Sequence, residues 1–161
     1  PLPDGEEGEL VFTTLTREGM PLVRYRSGDL AAVYPEPCPC GRSHRRISRI
    51  KGRTDDMLIV KGVNIFPIQI ERVLMNIPEV GTDYQIILDR KNYMDALTVR
   101  VEINAKFFDG DIRHLERLRK RIVEELRSEI IIEPEVELLE PGSIPKGEGK
   151  AVRVIDRRGG G

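Results

Sequence analysis

The rhythm of apolar positions in this chain changes at about residue 55. Beyond that point Met57 to Lys61 reads as a short strand, Gly62 as a turn and Val63 to Phe66 as extended chain. Ile70, Val73, Leu74 and Ile77 then recur at i, i+3, i+4 and i+7, which predicts a helix with one apolar face. Pro67 suits its first position, where a missing N–H is harmless, and Pro78 stops it. Tyr84 to Leu88 and Leu97 to Ile103 predict two strands joined by a hairpin loop over Arg90 to Asp95. The second alternates strictly through Leu97, Val99, Val101 and Ile103. A long helix follows, capped by Asp109 or Asp111 and reaching about Ile130, with Ile112, Leu115, Leu118, Ile122, Leu126 and Ile130 on its apolar side. Val136 and Leu138 make a last strand after Pro134. The order β-α-β-β-α-β predicts an α+β, ferredoxin-like domain, with two helices on one face of an antiparallel sheet.

The first third is patterned more weakly. Residues 9–16 alternate loosely, Leu30 to Tyr34 is a short apolar strand, and Ile47 and Ile50 mark a weak one. Pro35, Pro37 and Pro39 break the chain between them. These β-pieces lack the partners to close a core, and the change of pattern sets a boundary near Lys51 to Asp55, dividing residues 1-53 from residues 54-161. The opening Pro1-Leu2-Pro3-Asp4-Gly5-Glu6-Glu7-Gly8 has no initiator methionine and reads like the interior of a protein. The expectation is an excised C-terminal piece of a longer chain.

Composition narrows the classes. A chain of 161 residues holds one domain, or one domain and part of another. A formal net charge of -1 argues against a bulk nucleic-acid binder. Arg42, Arg45, Arg46, Arg49, Lys51 and Arg53 do crowd one stretch with no acid between them, which suits a polyanion such as CoA. Too few aromatic residues lie nearby to stack bases. No apolar run approaches the ~20 residues that cross a bilayer. Cys38 and Cys40, one residue apart, are a poor disulfide framework and suit the reducing cytoplasm.

Three polar, glycine-bearing stretches suggest one site assembled from distant parts of the chain: Tyr25-Arg26-Ser27-Gly28-Asp29, Gly52-Arg53-Thr54-Asp55-Asp56-Met57 running into Gly62-Val63-Asn64-Ile65-Phe66-Pro67, and Gly147-Glu148-Gly149-Lys150-Ala151-Val152-Arg153-Val154. In this order, with Gly8-Glu9-Leu10 ahead of them, they resemble the adenylate-forming superfamily of acyl-CoA synthetases. Within it the chain resembles the C-terminal portion of the phenylacetate-CoA ligases. The segment Gly62–Pro67 and the short ending Glu148-Gly149-Lys150-Ala151 carry the branch; in most superfamily relatives that last loop is one residue longer.

The resemblance implies two half-reactions. A carboxylate, phenylacetate or another aryl acid, attacks the α-phosphate of ATP to give an acyl-adenylate; CoA then displaces AMP. It implies ATP, CoA and Mg2+ as cofactors. It makes residues 1-53 the end of a large adenylation domain and residues 54-161 a lid that swings between the two steps. The fragment alone is expected to be inactive, since the phosphate-cradling loop and the aromatic pocket would lie upstream. A homodimer is compatible with the sequence. Two rival readings are a coenzyme F390 synthetase-like adenylyltransferase and an ACT-like module binding a small metabolite.

By the same resemblance Asp29 binds the ribose hydroxyls, for which a charged acceptor is well suited, although Ser27-Gly28-Asp29 alone would be an ordinary turn. Arg53 approaches the ribose or phosphates. Asp55 is the hinge of the lid. Lys61 and Gly62 belong to the lid loop that faces the site during thioester formation, where a glycine lets backbone pass close to pantetheine. Lys150 is the catalytic lysine of adenylation, placed to offset charge on the α-phosphoryl transition state. Cys38 and Cys40, with His44 close by, offer part of a tetrahedral structural Zn2+ site; the resemblance implies that its remaining ligands lie upstream.

Overall fold

Antiparallel pairing organises the first part of the molecule. Strand β1 (Glu7–Phe12) runs against β2 (Tyr25–Tyr34), with a register shift between Glu9 and Val11. The far side of β2 pairs with two short strands, β3 (Arg46–Ile47) and β4 (Gly52–Arg53), which set Tyr34 opposite Arg46 and Asp29 opposite Arg53. Leu10, Ala31 and Ala32 are buried, while Val11, Phe12, Leu15, Met20 and Val23 remain exposed. The computed structural model describes residues 2–108, 110–145 and 152–159, and the chain divides into two compact units, Pro1–Met57 and Leu58–Gly161.

The second unit holds the main core. Strands β5 (Leu58–Val60) and β6 (Val63–Ile65) form a hairpin closed by Lys61 and Gly62, with φ of 49° and 79°. Two successive left-handed residues match the twist of a tight hairpin, and glycine takes the second without strain. Helix α1 (Pro67–Met75) starts on Pro67, and the Gln69 Oε1 accepts the Phe66 N–H at 2.9 Å. Its buried side is Ile70, Val73 and Leu74, with Ile77 just beyond, as the spacing predicts. Strands β7 (Val80–Lys91) and β8 (Met94–Ile103) form a long hairpin turning on Asn92 and Tyr93, tighter than the loop expected over Arg90 to Asp95. Helix α2 (Ile112–Ile130) leads into β9 (Glu135–Leu139), and β10 (Val154–Asp156) closes the sheet.

The sheet order is β10-β7-β8-β9. One face carries Tyr84, Ile86 and Leu88 opposite Val101, Val99 and Leu97, with Val136 beyond. These side chains pack with the buried faces of α1 and α2 into one core.

The α+β class is as expected, but the sheet is mixed rather than antiparallel. β9 lies parallel to β8 and β10 parallel to β7. The first strand of the expected β-α-β-β-α-β order does not enter it. Both flanks of the β7–β8 hairpin are already taken, and β5 and β6, three residues each, satisfy one another. The long helix begins after Asp111, whose side chain accepts the Arg113 N–H at 2.9 Å; Asp109 lies outside the described residues. Ile112 is 72% exposed and leaves the apolar stripe, whose buried residues begin at Leu118.

Candidate functional site

Gly28 interrupts β2 with a φ of 81°. A Cβ there would stand 3.0 Å from the Arg53 Nη2 and 3.3 Å from the Asp55 Oδ1, so the glycine leaves room for a cluster of charges. Thr54 N–H donates to the Gly28 carbonyl at 2.7 Å and turns the chain back over it. Arg53 is the centre. Its Nη1 donates to Asp29 Oδ1 at 3.0 Å, and its Nε and Nη2 donate to the two oxygens of Asp55 at 3.0 and 2.9 Å. Asp56 lies 3.7 Å from the Nε. The rigid guanidinium fork suits such a task. Hydrogen bonds from Arg53 hold the Asp55 carboxyl below its ordinary range, and Asp55 in turn raises Arg53.

The neighbouring strand supports the cluster. Glu9 Oε1 accepts the Gly28 N–H at 3.2 Å, and its Oε2 accepts from Arg26 Nε at 2.9 Å. That bond to Arg26 keeps Glu9 ionised below the usual carboxylate range. Asp29 N–H donates to Ser27 Oγ at 3.1 Å, and Ser27 Oγ donates to the Leu10 carbonyl at 3.2 Å. Asp29, Arg53 and Asp55 are thus brought together within the first unit, with Asp29 partly open to solvent. The basic stretch is less bare than the sequence suggests, since Arg45 pairs with Asp4 and Lys51 with Glu7.

The other expected residues lie elsewhere. Lys61 and Gly62 form the β5–β6 turn of the second unit. Lys150 lies outside the described residues, and so do its neighbours 146–149 and 151. Both flanks of that segment are tied to adjacent positions of the sheet. Before it, Glu102, only 5% exposed, accepts the Gly142 N–H at 2.9 Å and the Ile144 N–H at 2.5 Å. After it, Arg153 stacks over the Tyr84 ring at 4.6 Å, donates to its hydroxyl at 3.0 Å and pairs with Glu71. Its carbonyl accepts the Ile86 N–H at 2.7 Å. Tyr84 stands opposite Val101, the residue before Glu102.

Cys38 and Cys40 share one turn, with their Sγ atoms 2.9 Å apart. The Cys40 thiol, donating to Cys38, lowers the Cys38 pKa. Among the described residues no group of three or more His, Cys, Asp and Glu side chains gathers as a metal site. The pair offers at most two of the four donors of a tetrahedral zinc, and at 2.9 Å its sulfurs stand closer together than two thiolates on one zinc ion, which lie about 3.8 Å apart for bonds of about 2.3 Å.

Residues 62–158 match the family of AMP-binding enzyme C-terminal domains. The chain belongs to this family. It is 45% identical over 172 residues to the phenylacetate-coenzyme A ligase of Thermus thermophilus, an alignment covering 98% of this chain and 38% of the relative. Among solved structures it resembles 2-hydroxyisobutyryl-CoA ligase in the postadenylation state, in complex with 2-HIB-AMP, at a TM-score of 0.86 and 35% identity, over 98% of this chain and 33% of that one. It also resembles a domain of phenylacetate-coenzyme A ligase from Bacteroides vulgatus at a TM-score of 0.60 and 46% identity, over 65% of this chain and 94% of that one. The chain thus spans little more than a third of the length of this curated relative.

Two features of the domain escaped the sequence. Glu102 looks like a solvent-facing residue of an alternating strand, and only its burial marks it. Asp95, Asp156 and Arg158 form a second ionic cluster from residues with no shared motif: Arg158 reaches Asp95 at 3.2 Å and Asp156 at 2.7 Å.

Proposed function

We propose that this chain is the C-terminal part of an ATP-dependent, AMP-forming phenylacetate-CoA ligase. The observation that carries the reading is 45% identity to a phenylacetate-coenzyme A ligase in an alignment covering 98% of the chain, beside which stands this chain's own Asp29–Arg53–Asp55 cluster. In the complete enzyme phenylacetate attacks the α-phosphate of ATP, giving phenylacetyl-adenylate and pyrophosphate, and the CoA thiol then displaces AMP.

Asp29 accepts the ribose hydroxyls, and Arg53 fixes the direction of its carboxylate and faces the nucleotide. Asp55 is the pivot about which residues 54-161 turn as a lid on the domain to which residues 1-53 belong. The Lys61–Gly62 turn meets CoA, and Lys150 offsets charge on the α-phosphoryl group during adenylation. ATP enters as its Mg2+ complex. Cys38 and Cys40 supply two ligands to a structural Zn2+ whose other ligands lie upstream. The enzyme works in the cytoplasm, where its free cysteines stay reduced.

The ACT-like reading loses its footing in the mixed sheet order and does not account for Asp29 and Arg53 standing in register. The test is ATP–pyrophosphate exchange by the complete protein across aryl acids. Phenylacetate should be the preferred acid, and Lys150→Ala should abolish exchange in a folded protein. Undiminished exchange in that variant would remove Lys150 from the mechanism. Synthesis of acyl-CoA by residues 1-161 alone would overturn the assignment of the chain as an inactive part.

A further inference from the structure

The β5–β6 hairpin has no backbone ladder to the four-stranded sheet. Its apolar side is held by Val60 and Ile65, both fully buried. Its polar side is held by Arg158. The Arg158 Nη1 donates to the Ile59 carbonyl at 2.5 Å and to Asp95 Oδ2 at 3.2 Å. The same Asp95 oxygen lies 3.4 Å from the Lys61 N–H, a long hydrogen bond that reaches the turn itself. Asp156 takes the other side of the guanidinium, at 3.0 Å from Nε and 2.7 Å from Nη2. Arg158 and Asp95 are 18% and 19% exposed, so solvent screens this chain less than an open surface pair. The backbone carrying Arg158 is itself fixed, because the Arg157 N–H donates to the Leu88 carbonyl at 2.8 Å.

One planar group with five donors bridges Asp156 of β10, Asp95 at the start of β8 and the Ile59 carbonyl of β5. A lysine has no fork with which to hold three partners. Asp156 already meets the charge of Arg158; of its further bonds one goes to the Ile59 carbonyl of the hairpin and one to Asp95, which itself reaches the Lys61 N–H.

We propose that Arg158, acting through Asp95 and the Ile59 carbonyl, is the positioning residue of the Lys61–Gly62 turn, and that capture of CoA depends on it. The proposal rests on the reading that this turn serves thioester formation. Arg158 touches no substrate; it sets the orientation of a turn whose own two residues hold left-handed conformations.

The test takes Arg158→Ala, Arg158→Lys and Asp95→Asn through both half-reactions in the complete ligase. Amide exchange is followed in the 161-residue chain. In Arg158→Ala, exchange at Lys61, Gly62 and Val63 should quicken at least tenfold, with Ile86 and Val99 unchanged. Conversion of preformed phenylacetyl-adenylate to the CoA ester should slow about tenfold, with a raised KM for CoA, as a small misplacement produces. ATP–pyrophosphate exchange should stay within about twofold. Arg158→Lys should recover little, and Asp95→Asn should share the defect in milder form.

Parent-like turn exchange and thioester formation in Arg158→Ala would overturn the proposal. So would equal losses in both half-reactions alongside a lowered Tm, the mark of a merely structural residue. Gly62→Val separates the proposal from the reading beneath it. Slowed thioester formation in Gly62→Val but not in Arg158→Ala rejects the role of Arg158 alone; no slowing in either rejects the role of the turn.

Discussion

Replacing Glu102 by glutamine tests how the second unit holds the chain before residue 146. Both carboxylate oxygens accept backbone N–H groups, Gly142 at 2.9 Å and Ile144 at 2.5 Å, and the side chain is 5% exposed. Glutamine keeps one acceptor. Its NH2 group then faces an N–H that can no longer be satisfied. One hydrogen bond to a charged group is lost, worth ~1.5–3 kcal/mol, and a buried donor goes unpaired at ~1–3 kcal/mol. Part of this is regained as the loop relaxes toward water, which leaves about 3 kcal/mol. For a unit of this size that lowers Tm by roughly 12–20 °C. The assay is thermal and urea unfolding of the 161-residue chain by circular dichroism, with amide exchange at Gly142 and Ile144. Exchange at those two amides should rise well ahead of exchange in β7 and β8. A loss under about 1 kcal/mol with both amides still protected would refute the reasoning, because two bonds to a buried carboxylate cannot be that weak.

Three further outcomes are expected. Ile131 ends α2 in a left-handed conformation, φ 65°, and is 80% exposed, so Ile131→Gly should raise stability by about 1 kcal/mol in urea unfolding. Gly28→Ala should cost about 1 kcal/mol through its positive φ, and it should displace Arg53, seen as a changed Arg Nε resonance. Asp55 and Asp156 have carboxyls held below their ordinary values by Arg53 and Arg158. Their stabilisation is therefore complete above the ordinary carboxylate pKa and is lost as pH falls through the lower folded values; Tm should be flat from about pH 8 to 5 and drop below about pH 4. Both groups are partly exposed, so the drop should shrink in high salt.

Local rhythm makes α1 and β8 legible in the sequence, because Ile70, Val73 and Leu74 and the alternation from Leu97 each answer to a single period. Asp29 and Arg53 can be suspected of meeting, since each lies in a glycine-bearing polar stretch, and β2–β4 pairing sets them in register. The sheet order is not legible in the same way. Nothing in Met57–Phe66 says that β9 and β10 will occupy the flanks of the β7–β8 hairpin from later in the chain. Ile112 has the right spacing and residue type but lies ahead of the buried part of α2, which begins at Leu118. Asp95 and Arg158 stand 63 residues apart with no periodicity linking them, and only the folded chain pairs them.

The stretches before residue 146 and after residue 151 are each fastened to the second unit's sheet. Glu102 grips Gly142 and Ile144, and Tyr84 with Glu71 grips Arg153, at neighbouring points on the β7–β8 ladder. Loosening either mooring is therefore expected to leave the other in place, because Glu102 and Tyr84 hold their two stretches through separate side chains.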